Sequence, residues 1–157
     1  MSLKPFFLWC DKLPVSAAIR DSAVIFPAIE TVHLLALTVL LGSIVLLSLR
    51  LMGKGLAHMP LRSVGALLSP FIGWGLTVML VSGILLFLSE AEKCYDNPPF
   101  FFKMEMLALS IVFHWTVVRR TLRAEKEPGA APLFATGVVS LILWFGIGVG
   151  GRAIGFY

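Results

Sequence analysis

Charge is scarce in this chain: 14% of its 157 residues are charged, against about 25% in an ordinary soluble domain. Two long stretches, between Arg62 and Glu90 and between Glu127 and Arg152, contain no Asp, Glu, Lys or Arg at all. Cysteine is reduced to Cys10 and Cys94. No internal repeat or low-complexity tract is present, and the one linker-like piece is the turn Glu127-Pro128-Gly129-Ala130-Ala131-Pro132. What fills the space is apolar: 58% of residues, with a mean hydropathy of +0.91. That composition excludes a disordered chain, a collagen-like fibre and an ordinary soluble enzyme. The net charge of +4 looks basic, but no segment interleaves aromatics with clustered Arg or Lys, which sets nucleic acid aside as a partner.

Crossing a bilayer as a helix takes roughly 17–25 mainly apolar residues. Four windows qualify, at about 23–50, 63–89, 99–119 and 132–153. Lipid satisfies no backbone polar group, and these runs show no period-two alternation, so they are expected as helices rather than barrel strands. The expected fold is all-α: a single-domain integral membrane four-helix bundle over 1–157. The apolar run from Pro5 to Cys10 is too short for a signal peptide and is followed at once by Asp11 and Lys12. Phe6, Phe7, Trp9 and Leu13 set against Lys4, Asp11 and Lys12 suggest instead a short amphipathic segment in the interface. Pro14 ends it, and Ser16 stands where it can cap the next helix.

Four crossings put both termini and the second loop on one face. Loops one and three hold Arg50, Lys54, Arg62, Arg119, Arg120, Arg123 and Lys126, with Glu125 and Glu127 as their acids. The opposite face carries six basic and seven acidic residues. The positive-inside rule therefore expects loops one and three in the cytoplasm and both termini outside. Cys10 and Cys94 then share the outer face, where a disulfide and two unpaired thiols are both open readings.

Ionisable groups inside spans are costly, and each is a functional-site hypothesis. Here they are Glu30, His33, Lys103, Glu105, His114 and Arg152; His58, in loop one, reads as a solvated loop residue. Depth decides which can meet. His33 lies 17 residues before Arg50 and Lys103 lies 16 before Arg119, placing them ~25 Å and ~24 Å from the loop face, at nearly one height. His114 is five residues before Arg119, ~17 Å deeper toward the cytoplasm than His33. A single haem held between His33 and His114 is therefore disfavoured. Lys103, Ser110 and His114 fall on one helical stripe, and Glu30, His33 and Ser48 on another. The outer half thus gathers Glu30, His33, Lys103, Glu105 and Arg152, with Arg20 just outside. A neutral imidazole suits haem iron, and Lys or Arg suits its propionates. Met104, Met106, Phe100, Phe101, Trp74 and Trp144 are available as an apolar pocket. The plainer readings stay open: a Glu30–His33 pair on one helix, a snorkelling Lys103, glycines in the fourth span serving close packing.

Several strings recur together: Arg20-Asp21-Ser22, Pro27-Ala28-Ile29-Glu30-Thr31-Val32-His33, Gly42 leading to Leu49-Arg50-Leu51-Met52-Gly53, Ser82-Gly83-Ile84-Leu85-Leu86-Phe87, Pro99-Phe100-Phe101-Phe102-Lys103 and Gly151-Arg152-Ala153-Ile154-Gly155. Their order resembles a family of small bacterial four-span inner-membrane proteins classed as a domain of unknown function, over most of 16–157. A more distant likeness is to the haem-dependent membrane protoporphyrinogen oxidase family, whose pattern is similar in one span-one His and a Lys-x10-His in span three. His33, Lys103 and His114 occupy those positions. The resemblance implies haem b bound at His33, the metal ligand, with Lys103. The chain departs from that family in lacking a Trp-rich first span and in carrying Glu30 and Arg152, so no substrate carries over. Copper-resistance membrane domains share the architecture more remotely. A two-haem cytochrome b561 pattern, with four intramembrane histidines, is excluded.

The leading expectation is a haem b protein of the bacterial inner membrane with a redox role, as electron carrier or oxidoreductase. His33 is the axial ligand, Lys103, Arg152 and Arg20 neutralise propionates, and Glu30 orients His33. The alternative is a haem-free transport or accessory subunit using a buried Glu30-His33-Lys103-Arg152 cluster. Copper handling through Met59, Met104, Met106 and the histidines is a weaker third. Expected partners are the lipid bilayer, a second copy packed through the small residues of span four, and a redox partner at the outer face.

Overall fold

The structure, a computed structural model, describes residues 3–124 and 128–156. Glu125, Lys126 and Glu127, which enter the loop-three charge comparison, lie outside the described residues. The chain forms α1 (Lys4–Asp11), α2 (Pro14–Arg20), α3 (Ile25–Leu51), α4 (Leu61–Ser89), α5 (Ala91–Tyr95) and α6 (Pro98–Phe113). A π-helical turn, His114–Val118, continues α6 into α7 (Arg119–Arg123), and α8 (Ala130–Ile154) completes the order. No strand occurs among the described residues. Four helices are long and apolar enough to cross a membrane: α3, α4, the continuous Pro98–Arg123 and α8. This is an all-α, multi-pass membrane protein.

Local chemistry sets the ends of these helices. Pro98 and Pro99 occupy the first turn of α6, where a missing N–H costs nothing. The Asn97 carboxamide caps that turn, accepting from Phe100 N–H at 3.2 Å, and its amide donates to the Ile154 carbonyl at 3.2 Å. One buried side chain thus ties the start of α6 to the end of α8. Gly53, at φ 69°, takes the left-handed conformation that stops α3, and the Gly53 and Lys54 N–H groups close back on the Arg50 and Leu49 carbonyls. The third span runs to Arg123, past the expected boundary at Arg119, because the π turn carries the helix on.

α3 is the central element. It packs against α4 on one side and α8 on the other, and α6 packs on the far side of α8. Leu40, Ile44 and Leu47 of α3, Val64 and Ile72 of α4, and Trp144 and Ile147 of α8 are fully buried. Leu35, Trp74, Val112, Ile142 and Val149 are exposed, as residues facing hydrocarbon are. α4 meets the third span at its two ends, through α7 and the start of α6. Gly65 lies beneath Leu122, and Phe87 stacks on Phe100 at 5.6 Å. Lipid-facing hydroxyls stay satisfied on their own helices: Thr38, Thr77 and Thr116 each donate to the carbonyl four residues back.

A cap of short helices covers the end of the bundle that bears the termini. Phe7 of α1 is buried among Phe87, Tyr95, Phe100 and Phe101, with ring centroids 5.4–6.3 Å away. Leu3, Phe6 and Trp9 stay exposed on the other side of α1, the amphipathic pattern of an interfacial helix. Ser16 is not the expected cap. It lies inside α2 and its hydroxyl donates to the Cys10 carbonyl at 2.7 Å. Cys10 and Cys94 are both free, buried thiols.

The glycines of α8 work inside the chain rather than on its outer surface. A Cβ at Gly137 would lie 2.7 Å from Met52 Cγ and 2.8 Å from the Ser48 carbonyl oxygen. One at Gly146 would meet Met106 Sδ at 3.1 Å. These close approaches seat α8 on α3 and α6. Gly73 of α4, by contrast, has nothing within 4 Å. Gly137→Ala is therefore expected to destabilise the bundle by about 1–3 kcal/mol through overpacking. In a thermal melt in detergent that is a fall of roughly 2–12 °C in Tm, whereas Gly73→Ala leaves the midpoint unchanged or slightly higher.

Candidate functional site

His33 is buried in α3 facing α4, with its Nδ1 2.9 Å from Ser82 Oγ. The Ser82 hydroxyl also lies 2.6 Å from the Val78 carbonyl. When its proton goes to Val78, Ser82 Oγ accepts from His33 Nδ1–H, and the imidazole lone pair is on Nε2. Gly83, next in α4, makes room for the ring: a Cβ there would stand 3.2 Å from His33 Cε1. The pair Ser82-Gly83 therefore does two jobs, bonding Nδ1 and admitting the imidazole. Nothing in the sequence singled out Ser82 for this role, since hydroxyls in membrane helices usually bond only their own backbone.

Lys103 approaches from the other side of the bundle. Its stem lies on the end of α8, where a Cβ at Gly150 would stand 3.1 Å from Lys103 Cβ and 3.2 Å from its Cα. Nζ lies 3.6 Å from the Cβ position of Gly151. Glycine at both positions is what lets α6 come this close to α8 and lays the lysine along it. Among the described residues Lys103 makes no ion pair and no side-chain hydrogen bond. Its charge acts on His33 and also on Cys94 of α5. The structure thus sets an imidazole bonded through Nδ1 and a half-buried ammonium, with no acid on it among the described residues, in the same half of the bundle.

The other expected site residues fall elsewhere. Glu30 is exposed, and Ser82, not Glu30, is the group bonded to His33. Three residues of α-helix turn the chain about 300°, which is enough to carry Glu30 off the buried face. Glu105 is likewise exposed. Arg20 is engaged in the cap, with Nη1 2.8 Å from Asp11 and 3.3 Å from the Ser89 carbonyl. Arg152 is exposed, its guanidinium 5.1 Å over the Phe156 ring. His114 is buried beside Trp115 and Trp144 at the start of the π turn. The expected apolar pocket is dispersed: Trp74 and Met104 are exposed, Trp144 sits at His114, and Met106 packs under Gly146. No group of three or more His, Cys, Asp or Glu side chains gathers as a metal site among the described residues.

Two surface clefts open at the bundle ends. One, about 350 Å³, is lined by Arg50, Arg62, Thr121 and Leu122 among others. The second, about 430 Å³, is lined by Asp11, Arg20, Glu90, Glu92, Lys93 and Asp96. Neither includes His33 or Lys103.

Together these features define a four-span membrane bundle with a histidine and a lysine directed inward near the termini-bearing end. The chain belongs to the family of unknown function DUF6644, which it matches over residues 6–157. No curated protein and no solved structure matches it significantly.

Cys94 lies in α5, outside the spans, where burial and then the Glu90 carboxylate push its thiol up to about 11. A raised thiol stays protonated at neutral pH and so reacts slowly with alkylating reagents. In a Cys10→Ser background, the rate of iodoacetamide labelling at Cys94 is expected to stay low at pH 8 and climb through pH 10–11. Labelling at pH 8 as fast as a free thiol in solution contradicts the buried placement.

Proposed function

We propose that this protein binds haem b in the outer half of a bacterial inner membrane and serves a redox role, with His33 as the iron ligand. The observation that carries this is the His33–Ser82 bond: Nδ1 is engaged with Ser82 Oγ at 2.9 Å, and with the proton on Nδ1 the lone pair of Nε2 is open to iron. A ligating histidine needs its second nitrogen held by such a hydrogen bond, which orients the ring and raises its basicity. Lys103 supplies the complementary half. A half-buried ammonium with no acid partner is costly inside a membrane and calls for an anion, and a carboxylate-bearing prosthetic group answers both needs at once. The donor set therefore fits haem b: imidazole for iron, ammonium for a propionate. Arg152, exposed at the end of α8, is within the same termini-bearing region of the chain for a second carboxylate.

Each residue has a defined task. Ser82 holds the Nδ1 proton, Gly83 admits the ring, Gly150 and Gly151 keep Lys103 laid along α8, and the Phe7-Phe87-Phe100 cluster shields this end of the bundle from water. Haem b, when bound, supplies one-electron transfer. The excess of Lys and Arg in loops one and three supports an orientation with the termini outside. Electrons would then be exchanged with a partner at that outer face. The haem-free cluster of Glu30, His33, Lys103 and Arg152 has less support, because Glu30 and Arg152 are exposed.

The test is the visible spectrum of protein purified from haem-replete cells. A Soret band that shifts on reduction is expected in the native chain and in His114→Asn. It should be absent in His33→Ala. Ser82→Ala should retain colour but bind haem about ten- to a hundred-fold more weakly. A colourless native preparation overturns the proposal.

A further inference from the structure

Three polar atoms deep in the bundle have no hydrogen-bond partner: Ser48 Oγ, His114 Nδ1 and Trp144 Nε1. Their residues are 1%, 5% and 1% exposed and belong to three different elements, α3, the π turn and α8. Two of them meet: the His114 and Trp144 rings stand edge to face at 6.5 Å and 87°. Ser48 stands against Gly137, whose Cβ position lies 2.8 Å from the Ser48 carbonyl oxygen. Gly137, Ser140 and Trp144 follow one another along the buried stripe of α8, and Ser140 is itself buried. Seven residues of α-helix span about 11 Å, so these groups mark a polar layer about 11 Å deep, in the half of the interior away from the termini.

The layer is exceptional within this chain. Ser43 and Ser110 donate to the carbonyl four residues back, at 2.7 and 2.6 Å. Ser48 leaves that bond unmade. His114 also opens the single π-helical turn among the described residues, and such turns interrupt α-helices mainly where a side chain is being aimed at something. Unsatisfied buried polar groups are normally explained by ordered water.

The donor inventory narrows the occupant. The indole N–H can only donate, the Ser48 hydroxyl can donate or accept, and His114 Nδ1 can do either according to its tautomer. Water has two protons to give and two lone pairs to fill, so it can serve each of these groups, and a layer about 11 Å deep takes more than one. We propose that Ser48, His114 and Trp144 bind internal water, forming a hydrated layer separate from the His33 site. It gives the lower interior an exchangeable proton beside a histidine, and it stands or falls independently of haem at His33.

The experiment is radiolytic hydroxyl footprinting of the native protein in detergent, where bound water generates the label in place. Trp144 and His114 are expected to be oxidised well above Leu40 and Ile44, which are equally buried but apolar, after correction for intrinsic reactivity. A second reading comes from thermal midpoints. If water occupies the layer, Ser48→Ala lowers Tm by a few degrees, because the hydroxyl it removes is hydrogen-bonded. Labelling of Trp144 and His114 no greater than that of the apolar controls overturns the proposal. So does a higher midpoint in Ser48→Ala, the result expected when an unpaired hydroxyl is removed from a dry core.

Discussion

Hydrocarbon offers no hydrogen-bond partner, and every polar atom in this protein has to be accounted for under that constraint. The backbone answers with four long helices. The lipid-facing threonines answer by donating to their own helix, as Thr38, Thr77 and Thr116 do. The polar groups that do something else are then conspicuous. Ser82 reaches the carbonyl four residues back in the common way, yet its oxygen also bonds a ring nitrogen from another helix. That bond between helices is what sets this serine apart from the threonines, whose hydroxyls stay on their own helix.

The same constraint separates two regions that sequence spacing alone groups together. Lys103, Ser110 and His114 lie on one stripe, which suggests a common site. Along that stripe, however, Lys103 lies against Gly150 and Gly151 near the end of α8, while His114 lies against Trp144 two turns or so further in. The bundle thus has a region holding Lys103 and His33 near the termini and a polar layer with Ser48, His114 and Trp144 below it. Between them the axis is filled by Leu40, Leu107 and Ile147, which are buried and apolar.

Much of the fold was legible because its signal is long. Uncharged runs of more than twenty residues between Arg62 and Glu90 and between Glu127 and Arg152 leave little choice but a membrane helix. The depth comparison of His33 with Lys103 was legible for the same reason, since helical rise is constant over a span. What escaped was short or angular. α5 is five residues long and carries no period to read. The extension of the third span to Arg123 depends on a π turn that no residue type announces. The exposure of Glu30 escaped as well: a spacing of three residues marks neighbours on a helix but does not say where the buried face ends. Ser82 could have been suspected only from its pairing with Gly83, a small residue where a ring from α3 needs space.

The glycines bind these observations together. Gly83 admits His33, Gly150 and Gly151 receive Lys103, and Gly137 brings Ser48 against α8. Without a hydrophobic force between helices in lipid, close packing is what holds the bundle, and here each close approach also positions a polar group. Span four reads as a stripe of small residues when glycine is taken as a motif, and each missing Cβ shows which neighbour that position admits: Met52 and Ser48 at Gly137, Met106 at Gly146, Lys103 at Gly150. The histidine is carried by α3 with Ser82 of α4 bonded to it, and the lysine of α6 is laid along α8.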